Sequence, residues 1–88
     1  MFSKNIFSER LKALRLEKNL KQSDIAMLLS VTITQISDIE RGRRTTTLEN
    51  LVAIANHFNV SADYLLGLTD EPRPLDYLVG RSDNPDRT

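Results

Sequence analysis

Apolar residues recur at helical spacing along the chain as far as Leu68. Phe7, Leu11 and Leu14 fall at i, i+4 and i+7, which places their side chains on one face of a helix. Charged residues occupy the opposite face, and Asn19 tolerates the left-handed conformation that ends many helices. The pattern predicts a first amphipathic helix that ends near Asn19.

Two shorter apolar stripes follow and are separated by a tight turn. The second predicted helix ends at Ser30, and the third runs from Thr32 to Arg41. Thr32 is a suitable N-cap, and Gly42 stops the third helix. The residues expected to face the interior from these helices are Ile25, Ala26, Leu29, Ile36 and Ile39.

Capping residues also bound a fourth and a fifth helix. Thr47 precedes the fourth, which Asn59 ends, and Ser61 precedes the fifth, which Gly67 closes. Strand signals are confined to short β-branched runs between the helical stripes. An all-α domain of five short helices is therefore predicted. Its last two helices are expected to bury Leu48, Leu51, Ile54, Ala55, Phe58, Leu65 and Leu66.

The length and the positions of the prolines define the domain organisation. A chain of 88 residues is long enough for one domain. All three prolines come after Glu71, so we expect residues 1–69 to form the folded domain. Residues 70–88 are expected to form a short acidic tail. This tail contains an apolar cluster, Leu75, Tyr77, Leu78 and Val79, which indicates either a dimerising or partner-binding element or a flexible end.

Composition excludes several classes of site. The chain has no cysteine and a single histidine, His57, which excludes thiolate and multi-histidine metal sites within one chain. No metal ion, cofactor or catalytic activity is expected. No apolar run reaches the roughly 18 residues of a membrane span, and residues 1–6 do not resemble a signal peptide. We therefore expect a cytoplasmic protein, associated with the nucleoid of a bacterial or phage-infected cell.

The net charge of zero hides an uneven distribution. Residues 1–60 contain nine basic and six acidic side chains, whereas residues 61–88 contain three basic and six acidic ones. This distribution is compatible with a polyanion at the first part of the chain, but taken alone it favours an ordinary solvated surface, since many such surfaces divide their charges in this way. The turn Ser30-Val31-Thr32 between two short helices has the spacing of a helix-turn-helix, whose second helix enters a DNA major groove.

Five sequence motifs resemble the Cro/C1-type (Xre-like) helix-turn-helix family of phage repressors and bacterial regulators. The resemblance covers about residues 6–68 and implies a compact five-helix, lambda-repressor-like DNA-binding domain. The segments that carry it are Arg10–Arg15, Gln22–Ala26, Ile36–Gly42, Leu48–Leu51 and Val60–Gly67. The chain departs from the family pattern at Ser30, where glycine is usual, and at Met27 and Leu28, which are commonly polar. The latter two are either incidental surface residues or an additional contact.

The resemblance implies that the third helix reads bases and that its neighbours bind phosphates. Gln35 has the groups for a bidentate contact with adenine. The side chain of Ile33 and the methyl group of Thr34 suit contact with a thymine methyl. The role of Asp38 stays open, because it could accept from a cytosine amine or pair with an arginine. The implied base-reading residues are Thr32, Ile33, Thr34, Gln35, Ser37 and Asp38. The implied phosphate contacts are Gln22, Ser23, Arg41, Arg43, Arg44 and Thr45.

Two further roles follow from the resemblance. Arg15 and Glu40 correspond to a buried ion pair that orients the third helix. Family members pair as twofold dimers on inverted repeats, and Tyr64, Leu66 and Leu68 are the expected dimer contacts. The predicted function is sequence-specific binding of double-stranded operator DNA by a homodimeric transcriptional regulator, a repressor. The alternative is an antitoxin or adaptor that uses the same fold, and its tail, to hold a partner protein.

Overall fold

The computed structural model describes residues 3–74, and within this range the chain forms five α-helices and no strand. The all-α prediction is therefore confirmed for the described residues. Residues 75–88, which include the apolar cluster of the tail, lie outside the described range. The helices are α1 (Lys4–Glu17), α2 (Gln22–Leu29), α3 (Ile33–Glu40), α4 (Leu48–Phe58) and α5 (Ala62–Leu66).

Side-chain oxygens cap the N-termini of four helices. The hydroxyls of Ser3, Thr32, Thr47 and Ser61 each accept a hydrogen bond from the amide three residues later, at 3.0–3.3 Å. These bonds satisfy amides that lack a partner inside the helix. The caps predicted at Thr32, Thr47 and Ser61 are confirmed, and α1 begins three residues before the apolar stripe that predicted it.

Left-handed residues end or follow several helices, as the sequence predicts. Asn19, Asn59 and Gly67 have φ values of 58°, 55° and 83°. Ser30, between α2 and α3, has a φ of 57° although family members usually carry glycine there. A side chain in this conformation costs about 1 kcal/mol relative to glycine. The turn therefore keeps its geometry at a modest energetic cost.

The core lies where α1, α2, α3 and α4 meet, with α5 closing one side. Its fully buried side chains come from all five helices and are Phe7, Leu11, Ile25, Ile36, Ile54 and Leu65. One predicted core residue is wrong: Leu48 is 80% exposed. It is the first residue of α4, so its side chain projects beyond the point where α4 packs against the core. Leu66 is only partly buried.

Arg10 binds the segment that follows α5 to the helical body. Its Nη1 donates to the carbonyls of Tyr64 and Thr69, and its Nη2 donates to Asp70 at 2.7 Å. Its guanidinium lies 4.1 Å from the centroid of the Tyr64 ring. The amide of Ser61 donates to the Pro72 carbonyl at 2.8 Å. The first residues of the predicted tail thus contact the folded domain.

Replacing Arg10 by alanine is expected to lower the free energy of unfolding by about 2 kcal/mol, measured by urea denaturation. The variant loses charge-assisted hydrogen bonds to two partly buried carbonyls. Asp70→Asn is the matched control, because the Asp70 side chain is 98% exposed and its ion pair is screened by solvent. Equal destabilisation by the two variants would assign the effect to the ion pair and contradict this account.

Candidate nucleic-acid interface

The α2–α3 unit has the geometry of a helix-turn-helix. Ser30 takes the left-handed conformation directly after α2, and the Val31 amide donates to the Ala26 carbonyl at 3.0 Å. Thr32 then caps α3, which begins at Ile33, so three residues separate the helices. Ile25, Leu29 and Ile36 hold the two helices together through buried contacts in the common core. Residues on the outer side of α3 are thereby left facing solvent.

The outer face of α3 presents four of the predicted base-reading residues. Each residue of a helix advances by about 100°, so side chains opposite the buried pair Ile36 and Ile39 point outwards. Ile33 is 53% exposed there despite its apolar side chain. Thr34 is also exposed, while Ser37 and Asp38, one turn later in the helix, are half-buried. The outward residues are Ile33, Thr34, Ser37 and Asp38.

Gln35 lies at the edge of this face and bonds to the start of its own helix. Its Oε1 accepts from the Thr32 amide at 3.0 Å, while the Thr32 hydroxyl accepts from the Gln35 amide at 3.1 Å. This reciprocal pair is a capping box. The sequence predicts a bidentate contact of Gln35 with adenine, which needs Oε1 as an acceptor. Oε1 must therefore accept from adenine in addition to the Thr32 amide, or give up its bond to that amide. The Nε2 donor makes no such bond to the cap.

The predicted ion pair of Arg15 and Glu40 is present and buried. Arg15 donates to the Glu40 carboxylate from Nε at 2.7 Å and from Nη2 at 2.9 Å. Their side chains are 10% and 3% exposed. The hydrogen bond to Glu40 raises the pKa of Arg15, and burial opposes this shift. The pair joins α1 to the last turn of α3.

Gln22 is part of the same network. Its Nε2 donates to Glu40 at 3.0 Å, so the side chain that was predicted to bind phosphate is bonded to the ion pair. This bond was not predicted from the sequence. An amide nitrogen carries two hydrogens, so Gln22 retains one donor for a second partner. Ser23 follows at the N-terminus of α2 and is half-buried.

The loop after α3 carries three exposed arginines. Gly42 has a φ of 77°, and a Cβ placed on it would lie 2.7 Å from Asn5 Oδ1 of α1, so a side chain is disfavoured there. The Arg43 amide donates to the Asp38 carbonyl at 2.8 Å. Arg41, Arg43 and Arg44, together with Thr45, are solvent-exposed. Within residues 3–74, these guanidiniums make no ion pair.

Asp38 therefore has no arginine partner in the described part of the chain. The ion pairs found between residues 3 and 74 join Arg10 to Asp70, Arg15 to Glu40, and Arg73 to Glu71. Of the two roles left open by the sequence, pairing with a neighbouring arginine does not occur in these residues. The carboxylate is half-buried on the outward side of α3.

An apolar surface lies on the side of the domain formed by α1, α4 and α5. Phe7, Leu48, Leu51 and Leu66 line one groove together with residues 45–47. Val52, one turn after Leu48, is 53% exposed, and Leu68 is 62% exposed. Of the predicted dimer contacts, Leu66 and Leu68 are thus accessible. Tyr64 is half-buried beneath the Arg10 guanidinium.

Met27 is the most exposed apolar side chain on α2. Its exposure is 81%, and that of its neighbour Leu28 is 39%. Both lie away from the core, so neither supports the packing of the domain.

Among the described residues, no cluster of potential metal ligands occurs. None of the five described helices could span a lipid bilayer.

A helix-turn-helix family model matches residues 11–65, which span α2, the turn, α3 and α4. The chain belongs to the Cro/C1-type helix-turn-helix family. The HTH-type transcriptional regulator DdrOP3 of Deinococcus deserti is 38% identical over 58 residues, which cover 66% of this chain and 45% of that regulator. The chain spans about half the length of the first curated relatives that it matches.

Solved structures of the Cro/C1-type family share the fold. The P22 c2 repressor in complex with a synthetic operator has a TM-score of 0.65 and 31% identity, covering 69% of this chain and 92% of that one. C.Esp1396I bound to a 25 base pair operator site has a TM-score of 0.60 and 32% identity, covering 77% and 90%. The five-helix, lambda-repressor-like architecture is therefore confirmed.

Proposed function

We propose that the chain is a sequence-specific regulator of transcription that binds double-stranded operator DNA. The observation that carries this proposal is the outward face of α3, which bears Ile33, Thr34, Ser37 and Asp38. The two elements next to α3 in the chain are proposed to bind phosphates. These elements are the N-terminus of α2, with Gln22 and Ser23, and the loop with Arg41, Arg43, Arg44 and Thr45. Family members of known structure have been solved with operator DNA, which supports the same use of this face.

The two sets of contacts have separate tasks. Exposed guanidiniums bind phosphates of any sequence, and they supply affinity that falls with salt. Hydrogen-bonding and apolar groups on α3 contact base edges, which differ between base pairs in the major groove. The protein acts as a repressor by occupying the operator, and needs no cofactor or catalytic step for this.

We propose that two copies bind an inverted repeat. One short recognition helix contacts few base pairs. In a twofold dimer, two such helices contact two half-sites whose centres lie about one helical turn of DNA apart. Accessible apolar residues are available for pairing between copies at Leu66 and Leu68, with Leu48 and Val52 on the adjoining surface. Leu48 and Val52 are not among the dimer contacts expected from the sequence. Their exposure is the signal that the structure adds.

The experiment that tests the proposed function is a randomised-duplex selection with the purified protein at near-physiological salt. Enrichment of an inverted repeat supports a dimeric, sequence-specific regulator. Binding without an enriched motif contradicts the proposal and favours the alternative, an antitoxin or adaptor. In that case deletion of residues 70–88 tests whether the tail holds the partner protein. Residues 75–88 lie outside the described structure, so that role stays a prediction from the sequence.

The double role proposed for Gln35 predicts different results for two substitutions. Gln35→Ala removes the capping bond and the amide donor, so it is expected to lower both the melting temperature and the preference for one base pair, the latter by about 1–3 kcal/mol. Gln35→Glu keeps an oxygen for the Thr32 amide and loses the donor. It is expected to keep the stability and lose the preference. Calorimetry and competition binding measure these two quantities.

If both variants keep the wild-type base preference, Gln35 is a capping residue only. Affinity ratios between two duplexes are the appropriate measure, since the extra negative charge of Gln35→Glu weakens binding to every sequence alike.

A further inference from the structure

Asp38 is an acidic side chain on a surface that is otherwise suited to a polyanion. It lies in the last turn of α3, between Ser37 and the buried Ile39. The C-terminal end of a helix is the negative end of its dipole, so a carboxylate there is unfavourable. No ion pair within residues 3–74 offsets this, although three arginines follow closely in the chain. The fold itself therefore gains no stability from this charge.

The position of Asp38 on α3 indicates that its negative charge serves to bind a ligand. Asp38 is half-buried on the outward face, four residues after Thr34 and five after Ile33. Five residues correspond to about 7.5 Å along a helix. Successive base pairs are about 3.4 Å apart, so this length allows Ile33 and Asp38 to contact different base pairs. A base edge in the major groove is thus within the span of the residues that already form this face.

We propose that Asp38 selects a cytosine in each operator half-site by accepting a hydrogen bond from its exocyclic amine. This inference rests on the proposed DNA-binding function and names one base that it reads. In the major groove cytosine presents the N4 amine as a donor, and no acceptor lies beside it on the same base. Adenine also presents an amine, but its N7 acceptor is adjacent and repels the second carboxylate oxygen. Thymine O4 and guanine O6 and N7 are acceptors and repel the carboxylate directly.

The same charge opposes binding at all other sequences. A carboxylate near phosphates weakens association wherever no amine compensates for it, so Asp38 reduces non-specific binding while the matched cytosine restores affinity. The free arginines of the loop remain available to phosphates because none of them pairs with Asp38. Ile33 and Thr34, which precede Asp38 on this face, are the groups that suit the methyl of a thymine in a neighbouring base pair.

The test compares duplex selections with the wild-type protein and Asp38→Asn. Asparagine has the same shape, and it both donates and accepts, so it fits adenine or thymine edges as well as cytosine. The wild-type motif is expected to contain one C·G pair per half-site that the variant no longer requires. Removing a charge from the C-terminal turn of α3 is expected to leave the melting temperature unchanged or slightly higher, which shows that the variant folds.

Binding to matched duplexes then measures the preference directly. Exchanging this C·G pair for T·A is expected to weaken wild-type binding about tenfold and Asp38→Asn binding less than threefold, a ratio independent of general charge effects. Glu9→Gln, which neutralises an exposed carboxylate on α1, is the matched control and should keep the full preference. If the wild-type protein and Asp38→Asn enrich a motif with the same cytosine requirement, the inference about Asp38 is overturned and the proposed function is not. Failure to enrich any motif with the wild-type protein overturns the proposed function as well.

Discussion

Glu40→Ala is expected to lower the free energy of unfolding by about 3–5 kcal/mol, measured by urea denaturation. The Glu40 side chain is only 3% exposed and accepts hydrogen bonds from Arg15 and Gln22. Its loss leaves the positive charge of Arg15 beneath the surface with the Leu20 carbonyl as its remaining partner. A domain of this size is stable by about 5–15 kcal/mol, so a large part of that stability is at risk.

Two controls separate the missing partner from the missing charge. Glu17→Ala removes an exposed carboxylate from the end of α1 and is expected to change the stability little. The double variant Arg15→Met with Glu40→Leu replaces the whole pair by apolar side chains and is expected to recover most of the loss, because no buried charge is left unpaired. If Glu40→Ala were no more destabilising than Glu17→Ala, the pair would have no structural role.

Replacing both Arg43 and Arg44 by alanine is expected to reduce the slope of log K against log salt by about two units for each protomer bound, which is about four units for two copies on one operator. Both guanidiniums are exposed and, in residues 3–74, make no ion pair within the protein. Each is proposed to bind one phosphate and thereby to release a counterion. The loss is expected to be uniform across sequences, so the enriched motif stays the same. Binding titrations at several salt concentrations provide the slope.

Lys12→Ala is the control for this prediction. Lys12 is also exposed and positively charged, but it belongs to α1 and is not part of the α2–α3 unit or the loop that follows it. It is expected to leave the slope unchanged. Equal slopes for the wild type and the double arginine variant would remove the loop from the phosphate-binding surface. A changed motif in that variant would instead place one of the arginines on a base.

The sequence predicts the limits of the helices well because these limits depend on neighbouring residues. A hydroxyl at an N-cap and a residue that tolerates positive φ at a C-terminus are local signals, and Thr47 and Asn59 bound α4 as predicted. The wrong assignment of Leu48 to the core has a tertiary cause. Helical spacing places Leu48 close to the face of Leu51, but no neighbouring element covers the first turn of α4 on that side.

Side chains with several possible partners are harder to assign from sequence. The amides of Gln22 and Gln35 suit phosphate and adenine, but in the protein alone they bond to Glu40 and to the Thr32 amide. Helical spacing puts Arg10 among the charged residues opposite the apolar stripe of α1, whereas its side chain binds carbonyls near α5, more than fifty residues away in the chain. These contacts depend on how the helices pack, which a linear pattern does not contain. The resemblance to the family located the Arg15–Glu40 pair because both residues belong to its motifs.

The shared carboxylate of Glu40 has a consequence for how the recognition helix meets its target. Through Arg15 and Gln22 it connects α3 to α1 and to the first residue of α2. The tilt of α3 is thus set during folding, before any encounter with a duplex. Association then requires little internal rearrangement, and the loss of conformational entropy falls mainly on exposed side chains such as Arg43 and Thr34. The scaffold is preorganised, and the adaptable part of the interface is confined to its outermost atoms.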